Sequence, residues 1–499
     1  MNIVHIYRDV IKFLKRHKLS ISPQHKRYLK HARRELVRLY PTKQEQEMLD
    51  PYSDLILSLF LLDLEPLRPQ LQAFFHPKPR GTPPRDPIQM FRSLLCMILS
   101  GQTLSFTKWV KLLRCQPLFA ALSGFEDGSP GVGTFYDFSH RLFPETADPI
   151  IRQAIFKPKD SDKNRPPRPG IVSRLVAKAL NNLDKPLPPF PALRLNLLLK
   201  PIVLRSNDLG LLSSSQAIDL AGDGTKFKTG ASDVGRKLCD CHKQGIYRCQ
   251  CPRLYTDRFA SWGWDSYREC YVYGHAFYEL TASSSPFDLP IFILPVQAKD
   301  NDSVNGVKAI DRASKLYSEL SFASFIGDSA HDNYPTYDLL SARSITPFIA
   351  LNTRHAGYYQ LDANFTTDKS GVPICPKEER MLLCGFCPDR CRLKWRCPRA
   401  AHHCAKPCQC SPSAYGRVFY TKPADDPRLF THPPRGSRAW KEAYKNRTSV
   451  ERSHKRKKID FHLEQARVRS RRQWAVRIFL MAICQHALAW VDLFEQSFG

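Results

Sequence analysis

The sequence predicts an α/β protein: a mixed sheet flanked by helices, interrupted by a cysteine-rich insertion and preceded by an all-helical N-terminal domain. Three observations predict it. Apolar residues recur at helical spacing through residues 1–150. From about residue 215, short apolar runs alternate with amphipathic helical patterns, the order that builds a sheet covered by helices. Of the 16 cysteines, 12 fall in two stretches, which marks segments built differently from the rest.

A chain of 499 residues exceeds one ordinary core and is expected to hold about two to four domains. The composition shifts divide it into a helical N-terminal domain (1–156), a Pro- and Lys-rich linker (157–205), a first part of the sheet domain (206–360), the Cys-rich insertion (361–435) and C-terminal helices that complete the sheet domain (436–499). No internal repeat is visible.

In the N-terminal part, "DPIQMFRSLLCMILSGQ" reads as a helix with Pro87 near its start. "SFTKWVKLLRCQPLFAALSGF" reads as two helices broken at Pro117. "GVGTFYDFSHRLF" reads as a turn and a helix with Thr134 as N-cap. Such a set of short basic helices serves either DNA docking or plain structural packing. The linker "KPKDSDKNRPPRPG…DKPLPPFPALR" carries one short helix, "IVSRLVAKAL". In the sheet domain, "QAIDLAGDGTKF" reads as a strand ending at Asp223, and "YRECYVYGHAFYEL" and "LPIFILPVQA" as two more. "VNGVKAIDRASKLYSELS" reads as an amphipathic helix, and "FASFIGDSAHD" as a strand ending at Asp328. "YPTYDLLSAR" is then a helix and "ITPFIALNT" a strand. After the insertion, "GSRAWKEAYKNRTSVERSHKRKK" reads as one helix, and a last apolar helix covers about 471–492.

The formal net charge is +28. That excess points to a polyanion, most simply double-stranded DNA. No uninterrupted apolar run reaches the roughly 18 residues of a spanning helix, so no membrane partner is expected. The N-terminus lacks a signal-peptide core, so a cytoplasmic protein, associated with the nucleoid through DNA, is expected. Its cysteines are then expected to be reduced or metal-bound.

Three acids stand out. Asp223 and Asp328 sit at predicted strand ends, where open α/β sheets present ligands. Glu451 lies in "YKNRTSVERSHKRKK", a lone carboxylate followed by five Arg or Lys residues between 452 and 458. Carboxylates on separate elements can converge on hard divalent cations such as Mg²⁺. On one helix, Tyr444, Arg447, Glu451 and Lys458 would fall at roughly 0°, 300°, 340° and 320°, a single face, with Lys455 beside it. Basic residues there would hold a polyanion while the acid holds a metal. The same spacing fits a solvated face with an ion pair such as Glu451–Lys455, and an Asp at a strand end also serves as a turn residue. His275 reads as a packed strand histidine and Asp332 as a helix N-cap, with a group supporting Asp328 as the alternative.

The first cysteine stretch, "CDCHKQGIYRCQC", offers Cys239, Cys241, Cys249 and Cys251 for one tetrahedral zinc site, with His242 between them. The second holds Cys375, Cys384, Cys387, Cys391, Cys397, Cys404, Cys408 and Cys410, with His402 and His403. A subset of Cys384 to Cys410 is a candidate for structural Zn²⁺ bracing a segment without its own core. Unliganded reduced thiols are the alternative. Cys96, Cys115, Cys270 and Cys484 lie in apolar contexts and read as core residues.

The spacing Y-x2-R-x3-E-x6-K, met by Tyr444, Arg447, Glu451 and Lys458, resembles the signature of DDE insertion-sequence transposases of the Tyr-Arg-Glu-Lys group. "DGT" at Asp223 and "GDSAHDNYPTY" at Asp328 lie upstream in the matching order. "YGHAFYEL", "WRCP", "YGRVFYTKP" and the N-terminal "DPIQMFRSLL" and "GVGTFYDFSHRL" also look like this group. The resemblance covers most of the chain, most specifically 217–480. It implies an RNase H-like catalytic core in which Asp223, Asp328 and Glu451 hold two Mg²⁺ or Mn²⁺ ions. It implies cleavage at transposon ends and strand transfer into target DNA. It also implies contacts from Tyr444, Arg447 and Lys458 to the terminal inverted repeats, and a homodimer on paired ends. A catalytically inactive or repurposed DNA-binding protein with zinc-stabilised segments is the alternative, as is a zinc-dependent regulator.

Overall fold

Residues 270–297 are dense in Tyr, Phe, Val and Ile, side chains that pack well on a pleated surface, and they build the hairpin at the heart of the molecule. The computed structural model describes residues 3–75, 83–126, 128–145, 148–152, 169–352, 360–362, 365–402 and 411–498. The main sheet has six strands: β1 (Ala217–Lys228), β2 (Ser261–Asp265), β3 (Cys270–Ala282), β4 (Pro290–Gln297), β5 (Ser321–Gly327) and β6 (Thr346–Ile349). The order is β2–β3–β1–β5–β6, with β4 also on β3. β3 runs antiparallel to β1 and places Glu279 opposite Asp223. β5 is parallel to β1, and β6 to β5. The sheet is therefore mixed.

Helices cover both faces. Here α1 is Leu193–Asp208, α2 Asp302–Leu316, α3 Tyr334–Ala342, α4 Arg438–Lys445, α5 Thr448–Lys455 and α6 Arg471–Phe498. Ala221, Ile326 and Phe348 pack against Trp440 of α4 and Val450 of α5 on one face. On the other, α2 packs on β1, β3 and β4. α6 runs between the sheet domain and the N-terminal helices, touching Ser53–Leu61, Pro87–Leu99, α1 and β4. One continuous apolar cluster thus joins residues of the N-terminal helices to those of the sheet and of α6.

By length and composition α6 could cross a membrane, yet 94% of its apolar window is buried inside the protein. The Gln485 and His486 that interrupt the run in sequence are buried and paired. Gln485 accepts from Lys457 at 2.6 Å, and His486 bonds Ser206 at 2.7 Å and the Pro290 carbonyl at 2.9 Å. α6 is a core helix.

Four local expectations are corrected. β1 does not end at Asp223 but runs on to Lys228, because Thr225 to Lys228 pair with Gly274 to Phe277. The expected linker contains the 16-residue α1, whose Leu195, Leu198, Leu199 and Val203 enter the main core. Only 169–205 of that linker lies among the described residues beyond 153–168. Helix Val132–Leu142 is preceded by Gly131 and has no side-chain cap, so Thr134 lies inside its first turn. The helix expected across 436–458 is two helices, α4 and α5, with Asn446 and Arg447 at the break, followed by a π-helical turn at Arg456–Asp460.

Within the Cys-rich segment, strands Leu382–Cys387, Arg392–Arg396 and Val418–Thr421 form an antiparallel sheet. Met381, Leu393, Trp395, Cys375 and Phe430 fill a small core under it. The segment therefore has apolar packing of its own, against the expectation that metal alone would brace it.

Candidate functional site

Parallel pairing of β1 with β5 sets Ala221 beside Ile326. Two residues further along each chain stand Asp223 and Asp328, so the two acids meet at one level on strands spaced about 4.8 Å apart. Asp328 ends β5 as the cap of a short 3₁₀ turn, its carboxylate accepting from Ala330 N–H. It also accepts from His331 Nδ1 at 2.8 Å. His331 is fully buried, and its Nε2 bonds Tyr278 Oη at 2.8 Å. His331 and Tyr278 thus hold Asp328 from beneath.

A fourth acid joins them. Asp302 opens α2 behind its cap Asn301. A Cβ built on Gly224 would stand 2.1 Å from Asp302 Oδ1, so the glycine after Asp223 is what lets Asp302 approach. The electrostatics follow. Burial, then the charges of Asp302 and Asp328, push Asp223 up to about 7. Asp302 is raised chiefly by burial. For Asp328 burial acts upward, but the His331 hydrogen bond and charge, with help from Arg447, bring it net below the usual range. His331 is raised: burial opposes this, and the Asp328 hydrogen bond and the three surrounding carboxylates outweigh it.

Over this cluster lie α4 and α5. Tyr444 stacks on Trp440 with ring centroids 4.5 Å apart, and burial raises its hydroxyl, with the charges of Asp328 and Glu451 adding to the rise. Arg447 is bonded to Glu451 at 2.5 Å and feels the charge of Asp223 as well. Arg447 is therefore linked electrostatically to all three acids named from the sequence. Glu451 keeps 46% of its side chain exposed. Its ion-pair partner is Arg447, not Lys455; Lys455 is exposed. Lys458 is turned inward and donates to the Lys226 carbonyl on β1 at 2.9 Å. The break at Asn446 means the four residues do not share one continuous helical face, although Tyr444 and Arg447 still feel the charges of the acids. Asp223, Asp328 and Glu451 do not close to mutual ligand spacing: among the described residues, no set of three or more carboxylate, His or Cys ligand atoms lies within 4.8 Å except the first cysteine group.

No protein-family profile, curated protein or solved structure matches the chain.

Two other sequence candidates resolve clearly. His275 is buried and bonded through Nε2 to Asp257 at 2.7 Å, a packed strand histidine. Asp332 is not a helix N-cap; it follows the 3₁₀ turn Ser329–His331 as its C-cap. It accepts from Tyr337 Oη, Asn352 N–H and Arg428, and the α3 cap is Asn333. Asp302 was missed because an acid in a helix's first turn is ordinary. Its one sequence signal is that this turn follows β4 after only a few residues.

Cys239, Cys241, Cys249 and Cys251 bring their sulfurs within 4.8 Å of one another and can hold a metal such as zinc. The Cys239 thiol is drawn down to about 7 by the Cys241 N–H and then by Cys249. In the second stretch, no three of the described cysteines meet in this way: Cys375 and Cys397 are buried, while Cys384 and Cys391 are exposed. Cys404, Cys408 and Cys410, with His403, lie outside the described residues. Of the expected core cysteines, Cys96 and Cys484 are buried, Cys270 is half-buried and Cys115 is exposed.

A cleft of about 900 Å³ lies away from the acids, between the N-terminal helices and residues 461–477, lined among others by Lys108, His462, Arg467, Arg469 and Arg477.

Proposed function

We propose that this chain is a DDE transposase of the Tyr-Arg-Glu-Lys group with an RNase H-like core, cutting and joining DNA through Asp223, Asp328 and Glu451. One observation carries the reading: three motifs far apart in sequence put Asp223 within β1, Asp328 just after the parallel β5, and Arg447, bonded to Glu451, within electrostatic reach of both. A strand order with an antiparallel hairpin on one side of β1 and two helix-linked parallel strands on the other supports the same core.

The donor set fits hard divalent cations. It is all oxygen, and Asp223, raised first by burial and then by the charges of Asp302 and Asp328, is a carboxylate whose charged form a cation would favour. Asp223, Asp328 and, once turned from Arg447, Glu451 would hold Mg²⁺ or Mn²⁺. Bound, a pair of such ions activates the attacking oxygen and stabilises the leaving one in phosphoryl transfer. The protein's own part is positional. His331 fixes the orientation of Asp328. Arg447 and Lys455 present charge to DNA phosphates, and a phosphate that takes Arg447 releases Glu451 toward the other acids. Lys458, bonded to Lys226, braces the turn after α5. The basic cleft offers a path for duplex DNA. Double-stranded DNA, with transposon ends and target as its two forms, and a homodimer on paired ends, belong to the same reading.

A second reading, a DNA-binding protein that has lost catalysis, is favoured by one feature: Glu451 is engaged by Arg447 rather than closing on the strand acids. Incubating the full chain with duplex DNA carrying the sequences that flank its own gene, with Mg²⁺ or Mn²⁺, separates the two. Cleavage to a free 3′-OH, lost in Asp328→Asn while binding persists, is the expected result. Binding without cleavage by the wild type under either ion would establish the second reading.

A further inference from the structure

We propose that Cys239, Cys241, Cys249 and Cys251 ligate a single structural zinc ion that folds the loop between β1 and β2. The inference does not depend on the transposase reading.

The geometry argues it first. Cys239 and Cys249 sulfurs lie 3.4 Å apart, and those of Cys241 and Cys251 3.6 Å apart. All four fall within 4.8 Å of one another. Four sulfurs around zinc at about 2.3 Å would be spaced by about 3.8 Å, the edge of that tetrahedron. A disulfide would need about 2.05 Å. The spacing is that of a ligand cage, with each pair drawn from opposite arms of the loop.

Local structure explains how the cage forms. Asp240, at φ −93° and ψ 14°, turns the chain into a 3₁₀ turn that starts at Cys241, and each arm offers two half-buried sulfurs while Asp240 and Gln250 are exposed. A 3₁₀ turn at Cys241–Gln244 reverses the chain, and Gly245 closes it at φ +76°, a conformation glycine adopts freely. Lys237 Nζ donates to the Tyr247 carbonyl at 2.7 Å across the arms.

Apart from the sulfurs, backbone pairing and a few polar contacts hold the loop, and its apolar residues build no core of their own. Its apolar side chains point outward: Val234, Leu238, Ile246 and Tyr247 are 54%, 49%, 50% and 73% exposed. Segments that cannot bury a core are ordered by metal or by cross-links. Lys237, Lys243, Arg248 and Arg253 surround the sulfurs in sequence and offset the negative charge of a tetrathiolate site. His242, between the arms, is exposed and is not among the converging groups.

The site also has a structural consequence. Arg236–Lys237 pairs with Arg253–Tyr255, and that strand pairs with Ile150–Arg152. The metal would therefore sit at the end of a ribbon that ties the end of the N-terminal helical region to the sheet domain.

The test is metal content of the full chain, purified under reducing conditions, against the variant C239S/C241S. The variant is expected to carry one zinc equivalent less per chain, so zinc held elsewhere does not confuse the comparison. Replacement by Co²⁺ is expected to give thiolate-to-cobalt charge-transfer absorption that the variant loses. Hydrogen exchange across 231–256 is expected to rise on chelation while exchange in β3 stays unchanged, which separates loss of the site from general unfolding. Equal zinc and equal cobalt spectra in both proteins would overturn the proposal. So would mass spectrometry of the freshly purified chain showing Cys239–Cys249 and Cys241–Cys251 disulfides.

Discussion

Lys457 Nζ lies 2.8 Å from Glu279 Oε2, and both side chains are wholly buried. Glu279, on β3, stands opposite Asp223 on β1, and Lys457 follows α5, which carries Glu451. The ion pair therefore joins the two elements that must agree for the site to form. Ser453 donates to Glu279 and accepts from Lys457 at 3.1 Å, and Gln485 of α6 accepts from Lys457. Removing one member of such a pair strands the other charge. Lys457→Met is expected to lower unfolding free energy by about 3–5 kcal/mol, and Lys457→Met with Glu279→Gln to recover much of it. Urea unfolding of the three proteins checks this; a double variant no better than the single would contradict it.

Asp223 gives a pH dependence whose sign is fixed. Its folded-state value is raised to about 7, above the unfolded value of about 3.9. The folded state holds the proton longer, so this group's contribution to stability falls as pH rises from about 4 to about 7 and is flat beyond. Asp223→Asn is expected to remove that slope and to stabilise the protein at neutral pH by at least about 1.4 kcal/mol, the equivalent of one pKa unit. Millimolar Mg²⁺ or Mn²⁺ is expected to raise the melting temperature of the wild type but not of the variant. Identical responses of the two proteins to both ions would remove Asp223 as a cation ligand.

Asp302 and Gly224 make a second test of the acid cluster. The Cβ of Gly224→Ala would meet Asp302 Oδ1, an overpacking that typically costs about 1–3 kcal/mol. If the clash is with that carboxylate alone, adding Asp302→Ala should restore most of the loss. A double-variant cycle read by thermal unfolding gives the coupling; additive losses would mean that the strand, not Asp302, resists the methyl group.

Most strands and helices of the sheet domain were legible in the sequence because their periodicity and their end signals agree. Asn333 before Pro335 and Asn301 before α2 are such signals. What misled were residues whose local pattern is overridden by distant contacts. Asp223 looks like a strand end because Gly222 and Gly224 flank it, yet pairing with β3 carries the strand past it. The basic run at 452–458 looks uniformly solvated, yet Lys457 is fully buried and Lys458 is turned inward, because Glu279 and the Lys226 carbonyl lie far off in sequence. The break at Asn446 has no proline or glycine to announce it. The candidate cysteine group of the first stretch was legible in the sequence, since its four members are near neighbours there. Asp302 was not, since its relevance exists only through a glycine on another element.

Arg447 carries the last prediction. It holds Glu451 and also lowers Asp328, so one guanidinium restrains the acid cluster and, in the transposase reading, would also meet a DNA phosphate. Arg447→Gln removes both effects. Without that cation, Glu451 is free to turn toward Asp223 and Asp328, and divalent-cation affinity measured without DNA is expected to rise. At the same time one phosphate contact is lost. DNA binding is expected to weaken evenly across sequences, with the slope of log affinity against log salt shallower by about 1. The pairing of the two outcomes is what tests the exchange. Weaker DNA binding with unchanged cation affinity would make Arg447 a phosphate contact alone, and an unchanged salt slope would place the DNA elsewhere on the basic surface.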